Sequence, residues 1–144
     1  METIGRKETI DLPGLDLFDI DAKIDTGART SSIHCDEVYT TKKGDELLLH
    51  FKLLDASHPE YQGIVHTFKE FRRQKVKSSS GHTEERFVIK SSVLVFGKTY
   101  ITEFTLADRK SMNYPILLGR KFLYKRFAVD VSKRNLSLKR KNEA

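Results

Sequence analysis

The sequence predicts an all-β domain carrying one short helix near its C-terminus. Three observations predict it. Apolar and polar residues alternate over residues 18–24, two β-rich arms at 85–96 and 99–106 flank Gly97-Lys98, and only residues 117–124 have a helical character. With 144 residues, 38% of them hydrophobic and including nine Phe and five Tyr, the chain has the size of one domain and the material for a core.

The first strand places Phe18, Ile20, Ala22 and Ile24 on one face and Asp19, Asp21 and Lys23 on the other, as a period of two with one buried face requires. Residues 46–54 form a second apolar-rich strand. The arms around Gly97-Lys98 form a hairpin closed by a two-residue turn. Residues 127–131 and 136–138 add short strands. Several short strands separated by turn signals describe a barrel or a sandwich. The domain is expected to span residues 1–132. Residues 133–144, with Lys133, Arg134, Lys139, Arg140 and Lys141, are expected to form a solvated basic tail. Ser78-Ser79-Ser80-Gly81 is too short to act as an interdomain linker, and no internal repeat is visible.

Composition removes several function classes. No window approaches the roughly 20 apolar residues of a membrane span, and the first residues lack the apolar centre of a secretory leader. A cytoplasmic setting is the expectation, and a single Cys35 suits a reducing compartment while excluding an internal disulfide. The formal charge of +6 favours anionic partners. Nucleic acid is disfavoured among them, because no aromatic-basic pattern such as an RNP box occurs. His-Glu-x-x-His and paired cysteines are absent, and His34, His50, His58, His66 and His82 show no ligand spacing, so no metal is expected. No phosphate-cradling Gly-rich loop is present, so no nucleotide cofactor is expected either. Cys35 beside His34 or His82 lacks the third member of a nucleophilic constellation and reads as a buried apolar residue.

The chemistry-bearing segment is Ala22-Lys-Ile-Asp25-Thr26-Gly27-Ala28-Arg29. A strand that delivers Asp25 into a Thr-Gly turn fixes a carboxylate in space, because Gly27 lets the backbone turn sharply and the Thr26 hydroxyl can tie the loop. Alone this is an ordinary turn. A second element, Tyr114-Pro-Ile-Leu-Leu-Gly119-Arg120, runs apolar into a Gly just before the helical stretch.

Together the two elements resemble the aspartic-protease superfamily in its short, retropepsin-like form. The similarity is closer to a bacterial family labelled ATP-dependent zinc proteases. It is carried by Lys23-Ile-Asp-Thr-Gly-Ala-Arg-Thr-Ser, by Ser78-Ser-Ser-Gly-His82-Thr-Glu-Glu-Arg-Phe-Val-Ile, by Ser111-Met-Asn-Tyr-Pro-Ile-Leu-Leu-Gly-Arg and by Phe127-Ala-Val-Asp. The resemblance implies a closed acid-protease barrel. It also implies Asp25 as the catalytic carboxylate, Thr26 and Gly27 holding its loop, Gly119 packed behind, and Ala28 and Arg29 beside the substrate.

Hydrolysis by this route needs two Asp side chains about 3 Å apart sharing one proton. One Asp-Thr-Gly per chain then implies a homodimer with Asp25 from each copy on the axis. The flap of such enzymes corresponds to residues 77–84, with Gly81 near the tip and His82 beside the substrate. Two departures bear on the substrate. Lys23 shares a face with Asp25 where relatives carry an apolar subsite residue, and Arg29 stands where they carry an acid that pairs with the Arg of the Gly-Arg segment. Asp36, Glu37 and Asp130 are the acids available to compensate. The expected activity is an aspartic endopeptidase acting on peptide or isopeptide bonds of acidic, glutamate-rich segments. Its rival is a module of the same fold that binds acidic peptides without cleaving them.

Overall fold

The computed structural model describes residues 1–77, 80–108 and 113–143. Among them are eleven strands: β1 (Glu2–Ile4), β2 (Lys7–Leu12), β3 (Leu17–Ile24), β4 (Ser31–Lys43), β5 (Glu46–Leu53), β6 (Val65–Phe68), β7 (Arg72–Lys77), β8 (Thr83–Val95), β9 (Lys98–Ala107), β10 (Ile116–Leu118) and β11 (Phe127–Val129). Two helices, α1 (Arg120–Leu123) and α2 (Leu136–Glu143), complete the fold. The chain is therefore mostly β, as expected. No helix among the described residues is long and apolar enough to cross a membrane.

The hydrogen-bonded path β10-β3-β2-β8-β9-β4 returns on itself, because β4 also pairs with β10. Short β10 thus lies between two long strands, parallel to β3 and antiparallel to β4. All three of its residues are buried. One apolar cluster joins the ring strands to β5 and α1 and includes Ile10, Ile20, Ile33, Phe51, Phe104 and Phe122. Strands β5 and β6 extend the sheet from β4, and β7 forms a hairpin with β8.

The alternation expected over residues 18–24 holds from Ile20 onward and fails at Phe18, which is 46% exposed. The cause is a bulge. Between the pairs Ile10↔Ile20 and Leu12↔Leu17, the single Asp11 faces both Phe18 and Asp19. Asp19 adopts φ 54°, and its N–H donates to the Asp11 carboxylate at 2.7 Å. An extra residue shifts the pleat by one, so Leu17 takes the buried place.

The long hairpin turns one residue earlier than the sequence suggested. Val95 pairs with Lys98, so Phe96 and Gly97 are the turn residues, at φ 53° and 70°. Both left-handed positions fit a type I′ turn. Phe96 accepts that conformation while burying its ring against Phe127.

The C-terminal segment departs most. Residues 116–118 are strand rather than helix, and only Arg120–Leu123 turn helically. Residues 136–138, expected as a strand within a solvated tail, open α2, so there are two helices and not one. Ser137 is buried there. Its N–H donates to Glu8 Oε1 at 2.9 Å and its hydroxyl accepts the Phe96 N–H at 2.8 Å. Glu8 is fully buried, and its other oxygen accepts the Gly5 N–H at 2.8 Å. Lys139, Arg140 and Lys141 are exposed on α2. At the opposite end of the chain, β1 pairs in parallel with β11, and Glu2 forms an ion pair with Arg140.

Candidate active site

Asp25 follows directly on β3. Its N–H donates to the Leu118 carbonyl at 2.9 Å, so the ladder between β3 and β10 carries on into the loop. One carboxylate oxygen accepts the Gly27 N–H at 2.9 Å, and the Asp25 carbonyl accepts the Ala28 N–H at 3.3 Å. The side chain is half-buried, beside exposed Thr26 and Gly27.

A second layer locks this loop from behind. The Gly119 N–H donates to the Ser31 hydroxyl at 3.1 Å, Arg120 N–H to the Ala28 carbonyl at 2.8 Å and Lys121 N–H to the Arg29 carbonyl at 3.0 Å. The Arg120 guanidinium donates to the Thr26 carbonyl at 3.1 Å. Gly119 is required by proximity. A Cβ there would lie 2.8 Å from the carbonyl oxygens of both Ala28 and Thr30, closer than real Cβ atoms come to backbone.

The structure thus brings Asp25, Thr26, Gly27, Ala28 and Arg29 together with Gly119 and Arg120. Lys23 is exposed on β3, opposite Lys7 on one side and Leu117 on the other. Arg29 is exposed as well. None of Lys23, Arg29 and Arg120 has an ion-paired carboxylate among the described residues. The acids available to compensate are engaged elsewhere: Glu37 pairs with Lys52 at 2.7 Å, Asp36 accepts the Glu37 N–H, and Asp130 accepts from Ser132. The loop therefore presents an accessible carboxylate among uncompensated cations.

Among the described residues no hydrogen bond or ion pair joins Gly81 or His82 to this group. Lys77 pairs with Thr83 in the β7–β8 hairpin, and Gly81, at φ 85°, and His82 are both exposed just before Thr83. Ser78 and Ser79, part of the expected flap, and Ser111 and Met112, part of the family pattern, lie outside the described residues.

One buried constellation went unseen in the sequence. His34 Nε2 meets Asp55 Oδ2 at 2.6 Å, and Asp55 Oδ1 accepts both the backbone N–H and the hydroxyl of Ser57. Those Ser57 bonds, with His34 adding to them, hold the Asp55 carboxyl down at about 2. No linear signal links residue 34 to residue 55. Ser57 bonds the carboxylate and not the imidazole, so the group is not a serine nucleophile with its base. Cys35 is buried, and burial pushes its thiol far up, which leaves it inert. Among the described residues no cluster of three metal-ligating side chains occurs.

Comparison with known proteins agrees with this geometry. Residues 3–140 match the family model described as RimB-like, retropepsin-like aspartic endopeptidase RimB. A protein of Shewanella pealeana named probable alpha-L-glutamate ligase is 36% identical over 129 residues, which is 90% of this chain and 28% of that protein. One of the same name from Parasynechococcus marenigrum is 31% identical over 88% of this chain and 27% of its own length. The chain therefore spans little more than a quarter of these relatives. A crystal structure of a Legionella pneumophila protein of unknown function superposes with a TM-score of 0.73 at 25% identity, covering 94% of this chain and 98% of that one. With a family model matched along nearly its whole length, the chain belongs to the RimB-like family of retropepsin-like aspartic endopeptidases.

Proposed function

We propose that the chain is one half of an aspartic endopeptidase, completed when Asp25 of a second copy meets its own. The observation that supports this is the Asp25 loop, held from behind by Gly119 and Arg120 with its carboxylate left accessible. A single carboxylate cannot serve as acid and base at once. Two of them about 3 Å apart share one proton, so that one deprotonates the attacking water while the other protonates the carbonyl oxygen of the scissile bond. Thr26 and Gly27 hold the loop, and the ring of strands is read as the closed barrel that supports it. Gly81 and His82 are assigned to a flap that covers bound substrate. The setting is read as cytoplasmic.

Lys23, Ala28 and Arg29 are assigned to substrate binding. Uncompensated cations beside the loop favour an acidic chain, since charge-assisted hydrogen bonds strengthen where water is excluded. The relatives named glutamate ligases make glutamate-rich peptide or isopeptide chains the first substrate to try. In a purified Asp25→Asn variant, cleavage of a glutamate-tailed protein should vanish while melting temperature and sedimentation stay unchanged; turnover by that variant overturns the mechanism. Lys23→Met or Arg29→Met should weaken glutamate-peptide binding more than tenfold, about 1.4 kcal/mol. Binding without turnover in the wild-type dimer would instead favour the non-catalytic acidic-peptide module.

A further inference from the structure

The sheet face beside α1 carries a second cationic feature, outside the Asp25 loop. A groove of about 380 Å³ is lined by Lys90, Ile101, Thr102, Glu103, Lys121 and Arg126. Lys90 of β8 stands opposite Glu103 of β9. Glu103 is spoken for: Arg72 holds it through two bonds of 3.0 Å, and Lys121 lies 3.6 Å away. That leaves Lys90 and Arg126 without a carboxylate within ion-pair distance among the described residues. Arg126 is a fixed cation and not a swinging one. Its guanidinium rests over the Tyr100 and Phe122 rings and donates to the Phe122 carbonyl at 3.3 Å. Ile101 adds an apolar surface that is 61% exposed.

The groove is joined to the Asp25 loop by backbone. Lys121, on its rim, donates its N–H to the carbonyl of Arg29. The groove therefore adjoins the loop at the Arg29 carbonyl. We propose that this groove is an exosite for the distal part of an acidic polypeptide whose nearer residues occupy the Asp25 site. The proposal rests on the acidic-substrate reading above and names where such a chain continues. Four cations around one carboxylate leave a net positive surface that only an anionic partner neutralises, while Ile101 accepts the methylenes of a Glu side chain.

The test is a binding comparison made in the Asp25→Asn background, where turnover plays no role. Poly-L-glutamate spans both loop and groove, whereas triglutamate fills only the loop. Lys90→Glu with Arg126→Gln should weaken poly-L-glutamate more than tenfold and leave triglutamate within about twofold, with a shallower dependence on salt. Lys90→Glu alone, at an exposed position with no packing role, should weaken the long ligand by at least about threefold. Lys139→Glu, on the far helix, should change neither. Unchanged poly-L-glutamate binding, equal weakening of both ligands, or the same loss from Lys139→Glu overturns the exosite. If the wild type cleaves nothing yet the length-dependent contrast holds, the groove stands and the peptidase reading falls.

Discussion

The Asp25 loop and the β7–β8 hairpin carry the two halves of the proposed site, and they are built in opposite ways. The loop is fixed by its own Gly27 bond and by bonds from one distant stretch of chain, Leu118 to Lys121, which is itself tied to Ser31. The hairpin is held by its own ladder and by surface ion pairs such as Arg73 with Glu85, and its tip meets nothing that would crowd an added Cβ at Gly81. A group that performs proton chemistry needs its position dictated to a fraction of an ångström, whereas a cover must open and close. The same molecule therefore ties the loop to a distant stretch of chain and holds the hairpin chiefly through its own ladder.

The sharpest way to break this comparison is to substitute its two glycines. Gly119→Ala forces a Cβ against two backbone carbonyls and should cost about 3 kcal/mol, the upper end of overpacking, seen as a large drop in melting temperature. A loss under about 1 kcal/mol would mean that the loop is not locked from behind.

Acid provides the next largest contrast. Asp55 buttresses β4, the strand that leaves the Asp25 loop, and its carboxyl lies at about 2 instead of the ordinary 3.8. A depressed carboxyl contributes stability fully above about pH 4 and loses it as pH falls toward 2. Melting temperature should therefore drop through that window in the wild type and more shallowly in Asp55→Asn, which starts lower at neutral pH because an amide cannot accept from Ser57 and serve His34 as a carboxylate does. Parallel curves for the two proteins would remove Asp55 from the acid response.

In the hairpin the expected effects are small. Gly81→Ala meets open space but keeps φ near 85°, so it should cost only about 1 kcal/mol of local strain. That cost should appear as faster amide exchange confined to β7 and β8. A global destabilisation matching Gly119→Ala would erase the distinction between the two regions. Smallest of all is the response to chelation: exhaustive removal of divalent metal should shift neither melting temperature nor turnover, and a stoichiometric zinc lost together with stability would refute this.

The contrast also explains what the sequence revealed. The signals of the Asp25 loop are short motifs: an alternating strand, Asp-Thr-Gly, and an apolar run ending in Gly119 are each legible as written, although folding joins them. Alternation puts Phe18 inside because a bulge adds one residue without leaving a pattern, and the turn lies one residue earlier than Gly97-Lys98 because a buried Phe at positive φ is an uncommon choice for a turn. Residues 136–138 read as a strand because Leu136 and Leu138 alternate, whereas in the helix Ser137 bonds Glu8 across nearly the whole chain. His34 with Asp55 was hidden for the same reason: a partner chosen by folding leaves no spacing to read.

That Ser137–Glu8 clasp, with β1 lying along β11 and Glu2 on Arg140, gathers residues 2–8 and 136–140 into one corner. A domain whose ends emerge side by side can be spliced into a larger protein much as a loop can, since the host chain enters and leaves at nearly one point. The Asp25 loop is anchored through other elements, so such a transplant leaves its hydrogen bonds as they are.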